Sequence, residues 1–150
     1  MPGNDLDNAD AEGAYTQSPM MEHDTWIHLP PEAIPPEYQA KFKSIHNPVV
    51  PMTRALEGHP RAGKFWEEYC LAALQRGWET VEGWECLFFH RELQLFLSIY
   101  VDDFKMAGKA ASIPKAWKSL TTGKNAMILQ PRQRYGQYLG VTSSSIKPNL

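Results

Sequence analysis

Leu93-Gln94-Leu95-Phe96-Leu97-Ser98-Ile99-Tyr100-Val101-Asp102-Asp103-Phe104-Lys105-Met106-Ala107-Gly108 is an apolar strand that stops at two adjacent carboxylates and turns back into a second short apolar run. Leu93, Leu95, Leu97, Ile99 and Val101 alternate with Gln94, Phe96, Ser98 and Tyr100, the two-residue period of a strand that buries at least one face. Asp102 and Asp103 fall where that strand ends. A polar hairpin turn accounts for a bare Asp-Asp pair, because Asp is a favoured turn residue. Two neighbouring carboxylates also repel each other, and a fold that keeps them beside a core strand commonly sets a cation between them.

Upstream, Cys86-Leu87-Phe88-Phe89-His90 followed by an Arg91-Glu92 turn predicts a hairpin with that strand. Before it lies the best helix pattern in the chain. Ala62, Phe65, Trp66, Tyr69, Cys70, Ala73 and Leu74 recur at three- and four-residue spacing, with Pro60 suited to the first turn and Gly77 to the C-terminal stop. Its aromatic stripe reads as core. Pro30, Pro31, Pro35, Pro36, Pro48 and Pro51 forbid long regular structure, leaving a surface excursion with a short helix around Glu37 to Lys43 and a strand fragment at Val49-Val50. Downstream, Ser112 is placed to cap a helix through Ile113, Pro114, Ala116, Trp117 and Leu120 that Gly123 stops. Met127-Ile128-Leu129 and Tyr138-Leu139-Gly140-Val141 predict two more short strands. Helices and antiparallel strands that do not alternate one-to-one indicate an α+β fold, an antiparallel sheet with helices packed on one face.

Length and composition narrow the classes. At 150 residues the chain suits one domain. Charged residues at 21% and hydrophobic ones at 43% are ordinary globular values, which exclude collagen-like, coiled-coil and wholly disordered classes. A formal net charge of −2 offers no global attraction to a phosphate backbone, so nucleic-acid contact must come from a local patch. No apolar run is long enough to span a bilayer, and Met1-Pro2-Gly3-Asn4-Asp5 lacks the basic and apolar regions of a secretory signal, which makes an intracellular protein, cytoplasmic or nuclear, the expectation. Cys70 and Cys86 are expected to be reduced core residues; without a CxxC pair, they and His90 make no zinc pattern. Residues 1–9, polar and acidic, are expected to be disordered, residues 10–141 to form the domain, and residues 142–150 to be a flexible tail.

Four stretches in order, Asp10-Ala11-Glu12-Gly13-Ala14-Tyr15, Leu56-Glu57-Gly58-His59-Pro60-Arg61-Ala62-Gly63-Lys64-Phe65-Trp66, Tyr100-Val101-Asp102-Asp103 and Tyr138-Leu139-Gly140, resemble the palm of a copia-type retrotransposon reverse transcriptase. The resemblance implies an RNA-directed DNA polymerase palm of ferredoxin-like fold, a nucleotidyltransferase that adds deoxynucleotides to a primer 3′-hydroxyl by two-metal catalysis. Asp10, Asp102 and Asp103 would be the catalytic carboxylates and would bind two magnesium ions, with manganese an alternative, because magnesium prefers hard oxygen ligands. Tyr15 would lie under the sugar of the incoming nucleotide and hinder a ribose 2′-hydroxyl; its other reading is a core aromatic. Gly58, His59 and Arg61 would face nucleotide and template, Gly58 allowing close backbone approach and Arg61 meeting phosphate. The partners implied are an RNA or DNA template with primer and deoxynucleoside triphosphates, with no membrane. The family's fingers, thumb and ribonuclease H parts are not matched, so the palm is expected to be incomplete, a fragment of a Pol polyprotein that also carries integrase and ribonuclease H. The alternative is a catalytically inactive remnant that keeps the fold and at most binds nucleic acid or protein weakly.

Overall fold

The computed structural model describes residues 3–20 and 25–144. In chain order the elements are β1 (Asn4–Asp10), α1 (Ala14–Gln17), β2 (Trp26–Ile27), α2 (Pro36–Ser44), β3 (Val50–Pro51), α3 (Ala62–Leu74), β4 (Trp78–Val81), β5 (Trp84–His90), β6 (Leu95–Tyr100), β7 (Asp103–Lys109), α4 (Ile113–Leu120), β8 (Gln133–Arg134), β9 (Gln137–Tyr138) and β10 (Val141–Thr142). The fold is α+β. Six strands form one antiparallel sheet in the order β4-β5-β6-β7-β1-β8.

Strand parity divides the sheet into two unlike faces. Leu95, Leu97 and Ile99 of β6, Phe104 and Met106 of β7, Phe88 of β5 and Ala9 of β1 share one face and are buried. Against them pack Trp66, Cys70, Ala73 and Leu74 of α3 and Ile113, Ala116, Trp117 and Leu120 of α4, the residues that helical spacing predicts. The helices thus lie on one face, as expected. α3 stops after Leu74 and the chain reverses through Gly77 at φ +99, a conformation that glycine alone adopts cheaply. The other face carries Tyr100, Asp103 and Asp10 in one row and Ser98, Lys105 and Asn8 in the next, and the β9–β10 hairpin lies over the second row.

Several expectations are corrected. Residues 4–9 are not disordered: Asn4 to Asp10 pair with β7 over seven positions and with β8 on the other side, so the domain takes in β1. Their polar character is compensated across the edge, Asp7 by Arg132 at 3.1 Å and Asp5 by Arg134 at 2.8 Å, while buried Asn8 donates its Nδ2–H to the Gln137 carbonyl at 2.9 Å. A fourth strand, β4, precedes the hairpin and extends the meander; Trp78 anchors it on the core side, edge-on against His90. Met127 to Leu129 form no strand, only a bridge from Leu129 to Ala11. Ser112 makes no side-chain cap, because a 3-10 turn at Ala110–Ser112 already feeds the chain into α4. Cys86 is exposed, and Thr142 belongs to β10 rather than to a tail. The remaining expectations for residues 1–2 and 145–150 lie outside the described residues. Among the described residues no helix is long and apolar enough to cross a membrane.

Candidate active site

The β6–β7 hairpin is closed by a two-residue turn, Val101-Asp102, between paired Tyr100 and Asp103. Asp10, the last residue of β1, stands directly opposite Asp103 on the neighbouring strand. Cross-strand partners on one face bring their side chains together, so a terminal strand and a hairpin far apart in sequence deliver two carboxylates to one place. The backbone ties the third to them: Ala11 N–H donates to the Asp102 carbonyl at 2.7 Å.

The electrostatics record this convergence. The Asp10 carboxyl titrates above its ordinary value because burial disfavours its charge, Asp103 repels it and hydrogen-bonds its protonated form, and Asp102 adds further repulsion. Asp103 also accepts the Leu139 N–H on Oδ2 at 3.1 Å, from the tip of the β9–β10 hairpin. That tip uses positive φ at both Leu139 and Gly140, the backbone of a tight two-residue hairpin. Tyr138 beside it shares a hydrogen bond with Ser98 at 2.7 Å and lies under the Lys105 ammonium, 5.0 Å from the ring centre. Its phenol is pushed up by burial, against the lowering effect of the Ser98 hydrogen bond.

The donor chemistry fits magnesium, being hard carboxylate oxygens in mutual repulsion. Asp10 and Asp103 are brought face to face, and Asp102 is exposed at the adjoining turn. Among the described residues no three His, Cys, Asp or Glu side chains converge as a ready-made metal cage.

Tyr15 is half-buried, packs against the main core and against a second apolar cluster of Met20, Met52, Ala55, Ala62 and Phe65, and also walls a cleft of about 360 Å³ shared with Thr16, Leu56, Glu57, Val101 and Asp102. It is therefore a core aromatic on one side and a cleft wall on the other. Gly58, His59 and Arg61 stand outside this wall, and their segment enters the cleft only through Leu56 and Glu57. Gly58 stands at φ +88, a conformation that favours glycine, with open space where a Cβ would be. His59 is engaged locally, with Thr25 Oγ1 at 3.2 Å from Nε2 and the Arg61 backbone N–H donating to Nδ1 at 3.2 Å. The Arg61 guanidinium lies over the Phe65 ring at 5.3 Å.

Two positioning side chains escape a reading of local sequence. Gln17, buried, donates Nε2–H to the Glu12 and Ile128 carbonyls at 2.7 and 2.8 Å and accepts the Ile128 N–H at 2.8 Å, clamping the loop after Asp10 to residues 127–129. Trp66 reaches from α3 to the turn, donating its indole N–H to the Val101 carbonyl at 2.6 Å. The Gln17 pairing has no short-range signal, and Trp66 is indistinguishable in sequence from the rest of its helix's apolar stripe. No protein-family model matches the chain, and searches of the curated proteins and of the solved structures return no match.

Proposed function

We propose that this chain is a reverse-transcriptase palm of the copia type, adding deoxynucleotides to a primer 3′-hydroxyl on an RNA or DNA template. The observation that carries the reading is the cross-strand placement of Asp10 against Asp103, beside a turn that holds Asp102. Asp10, Asp102 and Asp103 would hold magnesium or manganese, which when bound supplies charge neutralisation and an acidified hydroxyl for phosphoryl transfer. The residues' own part is to set Asp10 against Asp103 at the end of the sheet, beside the turn whose Asp102 lines the cleft. Tyr15, on the cleft wall, would be the sugar-side contact and the discriminator against a 2′-hydroxyl. The rest of a Pol polyprotein, integrase and ribonuclease H, would complete the machine.

One observation favours a second reading, a non-catalytic remnant that keeps the fold. Asp103 Oδ2 already accepts the Leu139 N–H at 3.1 Å, so part of its acceptor capacity is engaged within the chain. Primer extension by the purified chain with magnesium or manganese, beside Asp102→Asn, separates the two. Extension that the substitution abolishes supports the polymerase; no extension from either protein supports the remnant; equal extension from both overturns the assignment of the carboxylates.

A further inference from the structure

Val101 occupies the tip of the acidic hairpin at φ +53, a left-handed conformation that a β-branched side chain strongly disfavours. Such backbone persists only where its surroundings over-determine it. Packing of the Val101 side chain does little to do so, since the residue is 40% exposed. The carbonyl, by contrast, accepts the Trp66 indole N–H at 2.6 Å. Trp66 is itself rigidly held: it is 3% exposed, stacked on Tyr69 at 5.9 Å and set edge-on to Phe104 at 6.4 Å. A buried indole N–H does not find a partner automatically, as those of Trp78 and Trp117 have none among the described residues. Beyond the turn the path is continuous, because the next carbonyl, that of Asp102, accepts the N–H of Ala11, the residue after Asp10.

We propose that Trp66 is a positioning residue: its indole N–H holds the Val101 carbonyl, and so locks the strained turn that sets the Asp102–Asp103 backbone against the end of β1. The consequence for catalysis rests on the polymerase reading of the carboxylates. The geometry of the turn does not, and the two fail in different measurements.

Amide hydrogen exchange on the full chain is the direct test, with the Ala11 N–H as reporter. Trp66→Phe keeps an aromatic ring and removes the donor. Ala11 exchange is expected to accelerate about tenfold, as for the loss of one buried hydrogen bond, while Leu97 and Met106 stay protected. Adding Val101→Gly, which takes positive φ without strain, is expected to restore Ala11 protection to within about threefold. A packing role for Trp66 gives no such rescue. Unchanged Ala11 exchange in Trp66→Phe, or a loss that Val101→Gly does not repair, overturns the proposal. If Trp66→Phe also deprotects Leu97 and Met106, Val101→Gly alone decides: Ala11 protection that is kept or raised upholds the proposal, and protection that falls overturns it, because the valine side chain then holds the turn. In primer extension Trp66→Phe is expected to lower kcat about tenfold with little change in KM, and the double variant to recover. An inactive parent chain would count against the polymerase reading and leave the exchange result to judge the turn.

Discussion

Asp10 shows how one carboxyl can work against stability. Folded, it binds its proton more tightly than the unfolded chain does, because burial and the Asp103 and Asp102 charges oppose its ionisation. The folded state therefore loses stability as pH rises from the ordinary value of 3.8 toward the raised folded one, and the deficit is constant above that. Asp10→Asn removes the charge and keeps the shape. Its melting temperature is expected to exceed that of the parent at neutral pH, and the difference to vanish below about pH 4. Thermal unfolding across pH checks this; a lower melting temperature at neutral pH would show that the carboxylate is stabilising instead. The same variant should lose any primer extension, a separation of stability from activity typical of functional sites. Cys70 behaves oppously to a reactive group: burial first, then Glu67, pushes its thiol up to about 12, consistent with an inert core residue.

Among the elements, the β6–β7 hairpin is the most self-sufficient. Its alternating apolar residues fix which face is buried, and a slip of one residue would turn Leu95, Leu97 and Ile99 to solvent. At its far end Gly108 adopts φ +139, and a Cβ there would stand 2.3 Å from the Gln94 carbonyl oxygen. Backbone cannot yield as a flexible side chain can, so Gly108→Ala is expected to cost about 1–3 kcal/mol, read as a lower urea midpoint. β1 is the opposite case. Its side chains Asn4, Asp5, Asp7 and Asn8 argue against a core strand, yet backbone pairing on both edges and the Arg132 and Arg134 ion pairs hold it in place. Those partners lie 125 and 129 residues along the chain, beyond any local pattern.

Taken whole, the molecule is a sheet with a dry side and a chemical side. The helices seal one face, and the acidic row, the Ser98–Lys105–Asn8 row and the β9–β10 hairpin occupy the other. Stability is concentrated where β6, β7, α3 and α4 meet, with Phe104 fully buried at that junction and in edge contact with Trp66. Phe104→Ala is expected to cost about 3–5 kcal/mol. Against the ~5–15 kcal/mol of an ordinary domain, that should move the urea midpoint of the entire chain in one transition rather than loosen one element.

The helices α3 and α4 and the strand β6 are legible in sequence because their patterns are local: apolar spacing of three to four residues, or two, with glycine and proline at the ends. The acidic turn is legible for the same reason, since Asp102 and Asp103 adjoin a strand that must end. The sequence by itself determined these elements, the burying face of each and the position of the carboxylates along the chain. Only the tertiary structure decided that a polar N-terminal segment is an interior strand of the sheet, that Asp10 faces Asp103, and that Gly58, His59 and Arg61 stand off the cleft. Backbone hydrogen bonds between strands are blind to side-chain type, and ion pairs close across any sequence distance. Neither leaves a periodic trace, so the half of the site that depends on them became visible only in three dimensions.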